Sequence, residues 1–327
     1  MRWLITGGCG FIGRSLIKNL LAEGGHAIRI VDNLSVGSRQ ELALITDFAE
    51  PAVVEPGELS PDSMVQLIVG DILNEKLALD SAQGVDIIVH LAANTGVGPS
   101  VDNPRMDCVI NVLGTFNYLE AARVNHVARF VFASSGAPAG ECEPPIHEEL
   151  PPHPVSPYGA SKLAGEGYCS AYFRTYGVDT VALRFSNVYG PLSAKKESVV
   201  AKFIKRAMAG ETLEIYGDGL QTRDFLHIDD LIHAVRLAST TPDIGGETFQ
   251  IAAARETTVG EIADRLRHLF QEIDPKNNIR IVYMESRLGD VKRNFSDTSK
   301  AKARLGWQPE VPLERGLQAT LDWFVDA

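Results

Sequence analysis

Arg2-Trp3-Leu4-Ile5-Thr6-Gly7-Gly8-Cys9-Gly10-Phe11-Ile12-Gly13 is the stretch whose reading decides the fold. A short apolar run ends in glycines and passes without a break into an amphipathic stretch, with Phe11, Ile12, Leu16, Ile17 and Leu20 on one stripe. That pattern predicts a buried strand, a tight turn and a helix. Gly7, Gly10 and Gly13 are spaced G-x-x-G-x-x-G. Glycine in such a turn lets the backbone approach a pyrophosphate, whose charge the N–H groups at the helix N-terminus would hold. A glycine triplet alone also fits a plain tight turn. Its place between strand and helix, and Asp32 nineteen positions after Gly13, favour the phosphate reading. A carboxylate at that distance meets the adenosine ribose hydroxyls and repels a 2′-phosphate, so the expected cofactor is NAD and not NADP. Asp71, after the next buried run in Val69-Gly70-Asp71-Ile72, is placed either to meet the adenine amino group or to cap a helix.

Outward from that stretch, Ala27 to Val31, Val65 to Val69, Asp86 to Leu91 and Arg129 to Ala133 also read as buried parallel strands. Helical patterns lie between several of them, including a stripe of Val112, Phe116, Leu119 and Ala122. The alternation predicts an α/β fold: a Rossmann-like doubly wound parallel sheet, with ligands at the carboxyl ends of its strands. Between Gly136 and Pro157 the pattern breaks, and seven of the 17 prolines fall there, so a loop over the active face is expected. A long helix over Tyr158–Tyr176 and a strand over Thr180–Phe185 follow. Beyond Asn187 the elements shorten: helices near Val199 to Met208, Ile228 to Ala238 and Val259 to Phe270 suggest a smaller α/β C-terminal lobe. The expected division is residues 1–180 as the NAD-binding domain, with returning segments from later in the chain, and 181–327 as the substrate lobe. The two would share one cleft.

Composition removes other classes. The net charge of −11 opposes a nucleic-acid partner, which needs a dense basic surface. No apolar run approaches the roughly 20 residues that span a bilayer. The first strand begins at Arg2, which leaves no stretch readable as a targeting peptide, and a cytoplasmic protein is expected. Cys9, Cys108, Cys142 and Cys169 are scattered, and the eight histidines form no HExxH, so neither disulfide nor metal is expected.

Thr6-Gly-Gly-Cys-Gly-Phe-Ile-Gly13, Val31-Asp-Asn-Leu-Ser35, Gly70-Asp-Ile72, His90-Leu-Ala-Ala93 and Asn111 through Gly114-Thr115 resemble, in order, the successive motifs of the extended short-chain dehydrogenase/reductase family, and its epimerase/dehydratase members in particular. The resemblance runs along essentially the whole chain. It implies a cofactor set of Gly7, Gly10, Phe11, Ile12, Gly13, Asp32, Asn33, Asp71, Ile72, Leu91, Ala92, Ala93 and Lys162.

Tyr158-Gly-Ala-Ser-Lys162 puts a phenol and an ammonium on one face of a helix. A free tyrosine has a pKa of about 10, too high for a base near neutrality. A nearby lysine and a positive nicotinamide ring would favour the phenolate. Tyr158 would then take a hydroxyl proton while hydride leaves the same carbon, and Lys162 would also hold the nicotinamide ribose. Ser134-Ser135 stands at the end of the fifth strand, where Ser135 can hydrogen-bond the reacting oxygen. The predicted catalytic set is Ser135, Tyr158 and Lys162. In related dehydratases an Asp-Glu pair follows the catalytic hydroxyl residue, and in decarboxylases a Glu; this chain has Gly136 and Ala137. Elimination and decarboxylation need such an extra acid or base, so simple oxidation and re-reduction is expected.

The second half is similar to the pocket of UDP-galactose 4-epimerase relatives. That likeness implies a substrate set of Ser135, Asn187, Val200, Tyr216, Arg223, Arg287 and Asp290. Arg223 and Arg287 would grip the diphosphate, and Asp290 the nucleotide ribose. Asn294 stands where relatives often carry a bulky tyrosine, which leaves room for a 2-N-acetyl group. Leu192 replaces the arginine of uronate-specific relatives; Lys195 or Lys196 would meet a carboxylate or simply be solvated. Asp229-Asp230 is expected to cap the following helix.

The expected reaction is C4 epimerisation of a UDP-hexose, UDP-N-acetylhexosamine or UDP-hexuronate. The alternatives are C2 epimerisation of a CDP-deoxyhexose, to which Ser100 to Asp107 is also similar, and a non-catalytic NAD-binding regulator. Apolar residues on several faces of Arg105–Arg123 and Tyr158–Tyr176, with the family's habit of pairing these helices, imply a homodimer.

Overall fold

The computed structural model describes residues 1–51, 65–275, 279–286 and 292–326. Each apolar run of the first half becomes a strand: β1 (Arg2–Thr6), β2 (Ala27–Asp32), β3 (Phe48–Ala49), β4 (Val65–Val69), β5 (Ile87–His90), β6 (Arg129–Ser135) and β7 (Thr180–Phe185). Short strands follow: β8 (Asn187–Tyr189), β9 (Leu213–Tyr216), β10 (Thr222–Arg223), β11 (Phe225–His227), β12 (Glu247–Ile251), β13 (Thr257–Thr258) and β14 (Ile281–Met284). Eight of them form one parallel sheet in the order β3-β4-β2-β1-β5-β6-β7-β12. The chain winds outward from β1 through β2, then restarts on β1's other side with β5. A crevice therefore opens at the carboxyl ends of β1 and β5, where such folds place their ligands.

Side-chain alternation along the strands fills both faces. Trp3 and Ile5 join Leu16, Ile17, Ile30 and Ile232 on one side, while Leu4 joins Ile88, Tyr118, Phe130 and Phe132 on the other. A third cluster, with Val200, Phe203, Ile204, Ile215, Ile262 and Leu266, is the core of the smaller lobe. β12 returns from beyond that lobe to extend the sheet beside β7.

Two boundaries differ from the sequence pattern for physical reasons. Asp86 stands outside β5 because its carboxylate takes Arg2's backbone N–H (2.8 Å) and guanidinium (2.6 Å). β6 runs two residues further than its apolar run, to Ser135, because Ser134 and Ser135 continue the register against Arg184 and Phe185. Ser135 is thus held by the sheet.

The helix Pro157–Tyr176 starts where chemistry dictates: the Ser156 hydroxyl accepts from the Gly159 N–H (3.1 Å), and Pro157 occupies the first turn. The proline-rich segment before it is strapped to both lobes. Gly140 bridges to His153, Ile146 to Ser296, and Glu148 accepts from the Gln250 N–H at 2.6 Å. Packed against the helix Pro157–Tyr176, the helices Pro104–Cys108 and Gly114–Val124 are joined by a π-helical turn, Val109–Leu113. Such turns often re-aim side chains at functional sites. Among the described residues no helix is long and apolar enough to cross a membrane.

Candidate active site

The loop after β1 is shaped by what cannot fit there. Gly7 has φ +69°, and a Cβ on it would lie 2.9 Å from the Ala92 backbone nitrogen. A Cβ on Gly13 would lie 2.5 Å from the Gly8 Cα, so only glycine lets this helix start against the loop. The helix Phe11–Glu23 begins at Gly10 with no side-chain cap, leaving first-turn N–H groups for an anion. At the end of β2, Asp32 is buried. Its oxygens accept from the Cys9 N–H (2.9 Å) and the Leu34 N–H (2.8 Å), which leaves lone pairs for two hydroxyls. Burial pushes its pKa up, and those two backbone donors oppose the rise. Asn33 donates to Asp71 (3.1 Å), and Asp71 accepts from the Leu73 N–H. The helix after β4 is capped by Asn74, so Asp71 is left to the crevice side. Ile72 packs against Gly114, and Leu91, Ala92 and Ala93 leave β5 opposite the glycine loop. A glycine cradle, an uncapped helix start and a carboxylate with free lone pairs fit a dinucleotide.

The three residues expected to be catalytic meet where β6 ends and the helix Pro157–Tyr176 begins. The Ser135 hydroxyl accepts from the Ala137 N–H at 3.2 Å and stands near enough to the Tyr158 phenol to favour its ionised form. Lys162 is buried, donates to the Ala133 carbonyl (2.8 Å), and lies 4.9 Å from the Phe132 ring centroid and 5.9 Å from that of Tyr158. Burial lowers its pKa to about 8 against the pull of Asp107 and Glu166. The Tyr158 phenol departs from expectation. Its pKa is raised, by burial first and the Asp107 charge as well, while the Ser135 hydrogen bond pulls it down. The Lys162 ammonium donates to the Ala133 carbonyl and not to the phenol.

Several supporting residues escaped the sequence reading. Ser134 donates to Glu166 at 2.5 Å, and Glu166 takes both arms of Arg184 at 2.8 Å, a buried cluster under the catalytic strand. Glu166 lies one helical turn beyond Lys162, and that spacing was a usable signal. A directed chain crosses the crevice floor. Ala92 N–H donates to Thr6 Oγ1 (3.2 Å), which meets His90 Nδ1 (2.9 Å); His90 Nε2 meets Thr115 Oγ1 (3.1 Å), which donates to the Asn111 carbonyl (2.7 Å). Since Thr115 has spent its proton, Nε2 is the donor nitrogen of a neutral imidazole. Burial and the Lys162 charge push that ring down to about 3.

On the other lobe, Asn187 opens β8 with its side chain exposed, and its N–H donates to the Asp224 carbonyl (3.0 Å). Tyr216 ends β9 near Lys202, and Arg223 lies in β10 with Nη1 on the Thr222 carbonyl (2.7 Å). The Val200 side chain belongs to the lobe's core. Arg287 and Asp290 lie outside the described residues. Asn294 follows a short tether in which Glu256 clamps Arg293 and Thr222. Lys195 pairs with Glu41 at the surface (2.6 Å), whereas Lys196 is drawn inward to the Val188 carbonyl (2.8 Å) over the Phe11 ring. The Asp229-Asp230 reading is corrected. The cap is His227, whose Nδ1 accepts from the Asp229 N–H, while Asp230 accepts from the N–H groups of Glu310 and Val311. A chain segment far away in sequence needed that carboxylate. Among the described residues no group of His, Cys, Asp and Glu is arranged to hold a metal.

A doubly wound sheet with this cradle, and with Ser135, Tyr158 and Lys162 beside it, defines a nicotinamide-dinucleotide enzyme of the short-chain dehydrogenase/reductase class. The profile of the NAD dependent epimerase/dehydratase family matches residues 3–252, and the chain belongs to that family, with NAD as its cofactor. The chain is 34% identical to the UDP-glucose 4-epimerase of Mycolicibacterium smegmatis over 99% of this chain and 98% of that one. It also resembles the UDP-glucose 4-epimerase of Thermotoga maritima, solved with UDP-glucose (TM-score 0.85, 34% identity, 100% and 99% of the two chains). The UDP-glucose 4-epimerase of Thermus thermophilus, solved with NAD, is similar at a TM-score of 0.84 and 31% identity over 100% of both chains.

Proposed function

We propose that this protein is an NAD-dependent epimerase that inverts C4 of a UDP-hexose, UDP-N-acetylhexosamine or UDP-hexuronate. The observation that carries the reading is the placement of Ser135, Tyr158 and Lys162 beside the glycine cradle, in a crevice whose Gly136-Ala137-Pro138-Ala139 turn bears no ionisable side chain. That turn has nothing to drive elimination or decarboxylation.

The Tyr158 phenol receives and returns the proton of the C4 hydroxyl, and Ser135 steadies the oxygen through both steps. Bound NAD supplies a hydride acceptor that gives the hydride back. Lys162 holds positive charge at the floor of the site, and Asp32 keeps the adenosine end in place. Asn187, Tyr216 and Arg223 grip the nucleotide half of the substrate, together with Arg287 and Asp290, whereas Val200 is committed to the core and supports the pocket from behind. The 4-keto sugar, held mainly through its diphosphate, turns over and is re-reduced on the other face. The sheet-centred lobe thus carries the cofactor and the smaller lobe the sugar nucleotide. We further read the chain as a cytoplasmic homodimer. Met106, Leu113, Tyr168, Phe173 and Tyr176 are exposed on the helices expected to pair.

The test is incubation of the purified protein with UDP-glucose, UDP-N-acetylglucosamine and UDP-glucuronate separately, without added NAD, read by NMR. A C4 epimer from one of them supports the reading and names the sugar. Three unchanged mixtures, even after NAD is supplied, overturn it in favour of CDP-deoxyhexose 2-epimerisation.

A further inference from the structure

Asp107 is a carboxylate with 0% exposure on the helix that leads into the π turn. Its Oδ1 accepts from Asn111 Nδ2 at 2.9 Å, and its Oδ2, equally buried, has no hydrogen-bond partner among the described residues. Burying a carboxylate half-satisfied is costly unless nearby positive charge offsets it. The Asn111 amide ties the acid to the catalytic helix. It donates to Ser161 Oγ (3.1 Å) and the Asn94 carbonyl (3.0 Å) and accepts from the Asn94 N–H (2.7 Å). Ser161 in turn donates to the Tyr158 carbonyl at 3.0 Å.

The positive charge nearby is Lys162, which makes no salt bridge among the described residues and rests on a carbonyl and two rings. The titratable groups that face it are His90 from β5, Tyr158, Glu166 and Cys169 from its own helix, and Asp107 from the helix Pro104–Cys108 packed against it. His90 is neutral and Cys169 is kept protonated by burial. Glu166 is committed to Arg184 and Ser134. Asp107 is the remaining carboxyl group, tied through Asn111 and Ser161 to the turn of helix that carries Tyr158 and Lys162.

We propose that Asp107 is a positioning residue of this site, a buried acid near Lys162 that does not pair with it, and that through Asn111 and Ser161 it holds the first turn of the catalytic helix. The inference rests on the reading that Tyr158 and Lys162 handle the proton. Its chemical consequence has a sign. A negative charge facing both groups makes each hold its proton to higher pH, so removing it moves both ionisations towards acid.

The experiment reads tyrosinate absorbance against pH for the holoenzyme and Asp107→Asn, each with its Tyr158→Phe counterpart subtracted. The Tyr158 midpoint should fall by about one pH unit in Asp107→Asn. Both flanks of the kcat–pH profile should move the same way, and Asp107→Glu should restore them. A midpoint and flanks that stay put while kcat falls would overturn the proposal, since a merely structural role does that. Should Asp107→Asn misfold, Asp107→Ser removes the same charge with room for a water and is read identically. If the wild type turns over no sugar nucleotide, the epimerase reading fails, while the absorbance titration still decides the role of Asp107.

Discussion

The two halves of the crevice are built by different means. The proposed cofactor side is built where backbone meets backbone, Gly7 against Ala92 beyond β5 and Gly13 against Gly8 in its own loop, so closely that no Cβ fits. The proposed substrate side draws on β8, β9, β10 and the start of the helix Val199–Met208, elements from separate stretches of sequence. One half is specified by steric exclusion at a few backbone contacts; the other by how a small core stacks short strands. The first should be intolerant and local in its failures, the second graded.

The catalytic junction between them should show the largest effect. Tyr158→Phe keeps the ring and removes the proton carrier, so kcat should drop about 10³-fold with NAD still bound. A drop below tenfold would mean that another group moves the proton. Next comes the staple of the smaller lobe. Asp224 is buried with 0% exposure and accepts from the N–H groups of Ala253 (2.7 Å) and Ser296 (3.3 Å). Burial pushes its pKa from 3.8 up to about 6. A carboxyl raised on folding contributes stability that is fully present below about pH 4 and is lost as pH rises through 6. Urea unfolding from pH 4 to 7 should show a loss of up to about 3 kcal/mol that Asp224→Asn lacks. Parallel curves for the two proteins would place that carboxyl in the ordinary range.

On the cofactor side, Gly7→Val should cut NAD retention about 100-fold, because the loop must shift off Ala92 and abandon its positive φ. Fluorescence titration with NAD would check it, and near-native affinity would show the cradle to be adaptable. The smallest effect belongs to the graded side. Arg223→Ala should raise KM for the UDP-sugar about tenfold with kcat little changed, since an interaction made equally in ground and transition states alters binding alone. A loss confined to kcat would instead place Arg223 at the reacting sugar.

Local pattern made most of the fold legible. The runs at Arg2, Ala27, Val65 and Arg129 are apolar enough for burial on both faces, and they became the centre of the sheet. The helix from Pro157 was equally plain, with Ser156 as cap and Pro157 in the first turn. The cap of the helix Ile228–Thr240 was misread because Asp230 answers to Glu310 and Val311, and no local window contains them. Glu166 was within reach of an i,i+4 reading; Asp107 was not, because nothing near it in sequence marks it as buried.

By itself, then, the chain determined what depends on neighbours in sequence: strand and helix periods, the glycine spacing that admits a pyrophosphate, the acid at the end of β2, and a tyrosine and lysine one turn apart. Tertiary structure decided what depends on burial. It turned Lys162 to a carbonyl and held the Tyr158 phenol to its proton. It also enclosed Asp107 and Glu166 around the two of them. The strength of a charge is set by the solvent it loses and the charges it meets, and both come from segments that only the folded chain brings together.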